Sequence, residues 1–153
     1  MKEVAYADGQ LRFRLPAGWE AAEEGDGTIA FYDPASDGGT LRIKLMTFTA
    51  EEDLRAPTAY RELEAMQPEP GQKLELLPDG NALRAHREET VVDDERTVMH
   101  VWLLASIDPP RRMRLAVFSL SVLAEHAGEL PARRLVVTLD REIRQARFAH
   151  QIS

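Results

Sequence analysis

Thr97-Val-Met-His-Val-Trp-Leu-Leu-Ala-Ser-Ile-Asp108, Pro109-Pro-Arg-Arg112 and Met113-Arg-Leu-Ala-Val-Phe-Ser-Leu-Ser-Val-Leu123 form the stretch that decides the fold. Side chains alternate across a strand, so a period of two sorts residues onto two faces. In the first run Met99, Val101, Leu103 and Ile107 share one face, and Val98, Trp102 and Leu104 share the other. In the second, Met113, Leu115, Val117 and Leu123 oppose Phe118, Leu120 and Val122. Strands that are apolar on both faces must be covered on both faces. The turn at Asp108–Arg111 joins them as an antiparallel hairpin at the centre of a sheet, and Val101, Leu103, Leu115 and Val117 are expected in the core.

Working outward, shorter strands of the same period surround this hairpin. Leu11, Phe13 and Leu15 share a face opposite Arg12 and Arg14, Ile29 pairs with Phe31, and Leu41, Ile43 and Leu45 oppose Arg42, Lys44, Met46 and Phe48. Ala82–Val92 alternates more weakly. Asp8-Gly9, Asp26-Gly27, Asp93-Asp94 and similar pairs mark tight turns, because Asp and Gly tolerate the left-handed backbone that hairpins require. Two segments read as helices. Thr49-Ala-Glu-Glu52 matches a capping box, and a helix is expected from about Pro57 to Gln67, ended by Pro68 and Pro70, with Ala59, Tyr60, Leu63 and Met66 inward. From Leu130-Pro131 to about His150, apolar residues at Ala132, Leu135, Val136, Leu139, Ile143 and Ala146 recur at helical spacing. The class is therefore α+β: a central antiparallel β-sheet flanked by helices on both faces, an α/β/α sandwich.

The whole chain, 1–153, reads as a single domain; at this length a fold buries about two-thirds of its unfolded surface. The sequence holds 26 acidic against 19 basic residues, a net charge of −7, and no cysteine. An acidic surface argues against a nucleic-acid partner. Absent cysteines exclude disulfides, a thiol nucleophile and thiolate metal sites. No stretch approaches the ~20 apolar residues of a membrane span, and no leader-like apolar run follows the first lysine, so the expected compartment is the cytoplasm.

Leu11-Arg-Phe-Arg-Leu-Pro16 followed by Gly18-Trp19 resembles the F-x-x-P-x-G-W opening of the PsbP-like superfamily. That superfamily includes the photosystem II oxygen-evolving subunit, Ran-binding nuclear import factors, and bacterial relatives such as type VI secretion effector chaperones. The strands at 29–33 and 41–47, a helix, a long hairpin with Trp102 and a final helix at 135–148 are similar in order to such proteins. The resemblance implies a PsbP-like domain that binds another protein without catalysis. It supplies no functional residues, since none of the family's partner-contacting positions is matched.

The residues themselves offer little chemistry. His86, His100, His126 and His150 lack the spacing of a zinc site, and His126 has no second histidine beside it. None of Ser36, Ser106, Ser119, Ser121 and Ser153 lies in Gly-x-Ser-x-Gly. Gly25-Asp-Gly27 and Gly38-Gly39 lack the lysine of a phosphate loop. The carboxylate clusters fall in polar, solvated segments. No catalytic residue, cofactor or metal is therefore expected. The concentrated positive feature is the last helix, with Arg133, Arg134, Arg141, Arg144 and Arg147, a face suited to an acidic protein partner; a solvated face, with Asp140 pairing Arg144, is the plainer account. The expected function is a noncatalytic protein-binding module of unknown partner, with a homodimer compatible. The alternatives are an effector chaperone, favoured by an apolar groove flanked by Met46, Phe48, Trp102 or Leu104, and a small-ligand carrier or enzyme, favoured by an enclosed polar pocket.

Overall fold

The two-faced hairpin does form the centre of the molecule, and the rest is arranged around its alternation. The computed structural model describes residues 1–36, 38–65 and 73–152, with the backbone alone at 56–58 and 73. Along the chain run β1 (Lys2–Tyr6), β2 (Leu11–Leu15), β3 (Glu20–Glu23), β4 (Ile29–Tyr32), β5 (Thr40–Thr49), α1 (Ala56–Ala65), β6 (Lys73–Leu76), β7 (Ala82–Val92), β8 (Glu95–Asp108) and β9 (Arg112–Leu123). A one-turn α2 (Ala124–Ala127), then α3 (Leu130–Arg144), β10 (Arg147–Phe148) and a 3-10 turn at Ala149–Gln151 follow. Seven strands form an antiparallel sheet in the order β3-β4-β5-β9-β8-β7-β6, and β1-β2-β10 form a second, smaller sheet.

Register sorts the large sheet's faces. Trp102 pairs with Phe118, and Leu104 with Ala116; these pack with Leu11, Phe13, Leu15, Leu139, Ile143 and Phe148 in the larger core cluster. Phe13 meets Phe118 and Phe31 edge-on, at ring distances of 5.6 and 5.9 Å, and so ties the small sheet to the large one. On the other face Ala105, Ile107, Met113 and Leu115 pack with Ala59 and Leu63 of α1. One face thus carries α1, and the other carries α3 together with the three-stranded sheet. The β7–β8 connection is a two-residue turn in which both Asp93 and Asp94 take positive φ (51° and 65°), the backbone that an Asp pair tolerates.

Five expectations are corrected. The Leu11–Leu15 strand lies in the small sheet and not in the central one, and its Leu11, Phe13 and Leu15 face the larger cluster from outside. Thr49 ends β5 opposite Arg112, and the Ala50 N–H donates to the Arg111 carbonyl, so the supposed capping box is held against the hairpin and α1 begins at Ala56. The last helix stops at Arg144, because Arg147 and Phe148 pair with Arg12 and Leu11 while Phe148 is wholly buried; Arg147 therefore belongs to a strand. Of the four core residues expected, Leu115 is buried at 2% exposure, whereas Val101, Leu103 and Val117 are half-buried. α1 reaches only one end of that face, at Ala105 and Leu115. Finally, Met46 and Phe48 share the α1 side through their partners Leu115 and Met113, while Trp102 and Leu104 are buried on the α3 side. A groove on one face can therefore be flanked by one of these pairs but not by all four. Met66, Gln67, Pro68 and Pro70 lie outside the described residues.

Candidate partner-binding site

α3 is helical for reasons its sequence states. Pro131 occupies the first turn, where its missing N–H costs nothing, and Arg141 and Arg144 sit in the last turn, against the negative end of the helix dipole. Ala132, Leu139, Glu142 and Ile143 are its buried positions. The opposite, solvent-facing stripe carries Leu130, Arg133, Arg134, Val137 and Arg141. Leu130 and Val137 are 53% and 68% exposed, unusual for residues of this size on a helix rich in charge.

The arginines divide by flank. Toward β6 and β7, Arg144 makes a bidentate pair with Glu75 at 2.7 and 2.9 Å, and its Nε donates to Asp140 at 2.8 Å. The hydrogen bonds that Arg144 donates to Glu75 and Asp140 raise the guanidinium's pKa further above its ordinary range. Asp140 in turn accepts the indole N–H of buried Trp102 at 3.0 Å. A chain of Trp102, Asp140, Arg144 and Glu75 therefore pins α3 to two strands, β8 and β6. Toward β2, Glu142 is 2% exposed and is held by Arg14 at 3.2 and 3.4 Å and by Arg141 at 3.3 Å. Arg141 and Arg144 are thus structural in part. Arg133 and Arg134 are exposed and have no carboxylate partner among the described residues. Arg147, also exposed, stands on β10 beside Arg12 and Arg14 and is separate from the helix face.

Between α3 and the β7–β8 edge runs a groove of about 380 Å³, lined by Ala85, Arg87, His100, Trp102, Val136, Val137 and Asp140. The His100 imidazole stacks on the Trp102 ring at 6.3 Å with 27° between planes. Burial, and secondarily the Arg87 charge, lowers the His100 pKa from its usual value.

The other described histidines each lie beside a carboxylate or a serine. His126 pairs with Glu129 at 2.9 Å and with Glu125 at 3.5 Å, and His86 lies 3.7 Å from Glu88. His150 Nε2 lies 2.9 Å from Ser106 Oγ, a pairing the sequence did not announce. Ser106 is buried within β8 opposite Arg114, and the neighbouring Asp108 is engaged by Arg112 and Arg114. Ser106 is thus enclosed in the sheet and not set on a turn as an acyl-transfer nucleophile is, while Ser36 is exposed in the loop after β4, where its Oγ accepts the Gly38 N–H. Ser119 and Ser121 sit within β9. Among the described residues no group of three or more His, Asp or Glu side chains could hold a metal, and no helix is long and apolar enough to cross a membrane.

With this geometry in hand, comparison with solved structures places the architecture. A protein from Bacteroides thetaiotaomicron matches with a TM-score of 0.62 at 16% identity, over 96% of this chain and 48% of that one. LpqN of Mycobacterium tuberculosis, described as involved in cell envelope biogenesis, matches with 0.58 at 11% identity, over 95% and 88% of the two chains. A mutant of the protein Mog1 matches with 0.53 at 19%, over 96% and 95%. This is the PsbP/Mog1 fold. At these identities the likeness shows the fold alone, and the chain spans about half the length of the Bacteroides protein. No family model matches the sequence, and no curated protein sequence matches it.

Proposed function

We propose that the chain is a noncatalytic module that binds another protein through the solvent face of α3. The observation that carries this reading is the division of the arginines. Arg141 and Arg144 are engaged by carboxylates of the chain itself, while Arg133 and Arg134 flank the exposed Leu130 and Val137 with no such partner among the described residues. Guanidinium groups beside exposed apolar side chains suit an interface whose partner brings carboxylates, because Arg pairs with them in bidentate fashion and its stem covers apolar surface. On a chain of net charge −7 such a local positive face would also select the partner and its orientation. Protein binding is likewise what the PsbP-like resemblance implied. The four residues named for the narrower chaperone reading divide between opposite faces, and of them Trp102 borders the groove between α3 and the β7–β8 hairpin that such a reading would use.

Affinity capture from native lysate tests this reading. It compares the wild type with an Arg133→Glu, Arg134→Glu double variant and with Arg61→Glu, an exposed reversal on α1. The α3 variant should lose its captured partner with an unchanged melting temperature, and the α1 variant should keep it. Capture that survives the α3 reversal moves the interface elsewhere. Robust turnover of a small substrate by the pure protein defeats the noncatalytic part.

A further inference from the structure

We infer that the groove between α3 and the β7–β8 edge receives an aromatic or large aliphatic anchor residue, presented by an acidic segment of the partner protein. The inference rests on the α3 reading above and adds the chemistry of what docks there. Volume is the first argument. At about 380 Å³ the groove lies at the small end of the ~300–1,000 Å³ typical of ligand pockets, a size for one side chain and its flanking backbone.

The second argument is the floor. Ala85, Val136 and Val137 are apolar, and the half-buried His100 imidazole lies over the Trp102 ring, which is itself buried and backs the groove from below. Two of its polar groups are already satisfied, since the Trp102 N–H donates to Asp140 and Asp140 accepts from Arg144, which leaves the His100 imidazole as its remaining ring donor. A floor of this kind leaves few donors for a polar ligand to match and favours a group that brings only apolar surface. Burial of such an anchor in a desolvated pocket is the usual source of interface energy.

Charge decides what surrounds the anchor. Arg87 stands on the β7 wall, more than half exposed, with only a long 3.9 Å contact to Glu89. On the helix wall Arg133 precedes Val136 and Val137 by three and four residues and Asp140 by seven, so it lies on the stripe that borders the groove. The Asp140 carboxylate on that same wall is engaged by Arg144. Arg87 thus lines the slot and Arg133 stands beyond its lining on the adjoining helix stripe, so an anchor flanked by Glu or Asp complements both. A basic segment would meet Arg87 and Arg133 with like charge, and a nucleic acid would meet the chain's overall negative charge.

The two tryptophans make this testable, since only Trp102 borders the groove while Trp19 lies far along the chain. Protein labelled with ¹⁵N in its indoles is titrated with three capped heptapeptides: Glu-Asp-Glu-Phe-Glu-Asp-Glu, its Phe-to-Ala analogue, and an all-lysine analogue that keeps the Phe. The acidic Phe peptide should shift the Trp102 indole resonance saturably and leave that of Trp19 in place. It should bind at least tenfold more tightly than the Ala peptide, and Arg133→Glu should weaken it severalfold. The lysine peptide should not bind. Equal affinity for the Phe and Ala peptides, or binding that leaves Trp102 unmoved, overturns the anchor. If Arg133→Glu still weakens that binding, the α3 reading stands without it. No binding of either acidic peptide overturns the anchor as well, and lysate capture unaffected by the Arg133 and Arg134 reversals then removes the α3 reading too.

Discussion

Leu103 and Leu104 are neighbours in one strand and point to opposite faces of the sheet, so truncating each in turn measures how well each face is covered. Leu104 is wholly buried between the sheet and α3, whereas Leu103 is half-buried on the α1 side. Leu→Ala removes three carbons, about 2.4 kcal/mol at roughly 0.8 kcal/mol per buried methylene. At Leu104 the packing around the lost atoms relaxes only in part, and the cavity raises the cost to about 3–4 kcal/mol. At Leu103 about half of the transfer term applies and no closed cavity forms, giving about 1–1.5 kcal/mol. Urea unfolding followed by the fluorescence of buried Trp19 and Trp102 reads both variants, with equal slopes checking that the unfolded states match. In melting temperature the costs correspond to about 10 °C and about 4 °C for a chain of this size. A Leu103→Ala cost equal to or above that of Leu104→Ala refutes the assignment of α3 and the small sheet to the better-sealed face.

Two further perturbations probe the polar contacts. Burial lowers the pKa of both His100 and His150, with Arg87 adding to it at His100 and Asp108 opposing it at His150. The unfolded chain therefore binds more protons just below the ordinary imidazole value, and stability should fall as pH drops through about 6.5 and level off below the folded-state values. A His150→Gln variant should show a shallower fall in a pH series of urea midpoints, and an unchanged slope removes His150 from the account. Arg14→Met leaves buried Glu142 with Arg141 alone; because Arg14 is itself half-exposed, the expected loss is about 2 kcal/mol, less than for a fully buried pair. A loss within about 0.5 kcal/mol, the range of ordinary surface substitutions, would show that Arg141 or solvent suffices for that carboxylate.

The central sheet was legible because its signal is local: alternation over eleven or twelve residues places Leu104 against Leu103 whatever the rest of the chain does. Turns were legible for the same reason, as at Asp93-Asp94. The misses are non-local. Arg-Phe-Ala-His at 147–150 continues the composition of the helix before it, and only the vacancy beside β2, which buries Phe148 and Ala146, pulls it into a strand. Lys2–Tyr6, Glu20–Glu23 and Lys73–Leu76 are short edge strands whose period of two is weak, and their pairing rather than their sequence makes them strands. The apolar second face of β8 and β9 was real, but periodicity cannot say how far along a face the covering helix extends. α1 covers the Ala105 and Leu115 end and leaves Val101 half-buried.

The candidate site was half legible, and the reason is electrostatic. A run of arginines on one helix looks uniform in sequence, yet each guanidinium's availability depends on carboxylates brought near by folding. Asp140 lies four residues before Arg144 and could be seen; Glu75 lies 69 residues away on an edge strand and could not. Arg14, 128 residues from Glu142, was equally invisible, and it makes a carboxylate on the helix's buried side tolerable. The groove has the same origin, since Arg87, His100 and Val137 come from three elements and share no motif. Once the internal pairs are assigned, Arg133 and Arg134 are the arginines of α3 without a carboxylate partner among the described residues. An acidic chain with many carboxylates pairs most of its own arginines, so whether a helix arginine is available, as the proposed α3 face requires, is decided by folding and not by how many the helix holds.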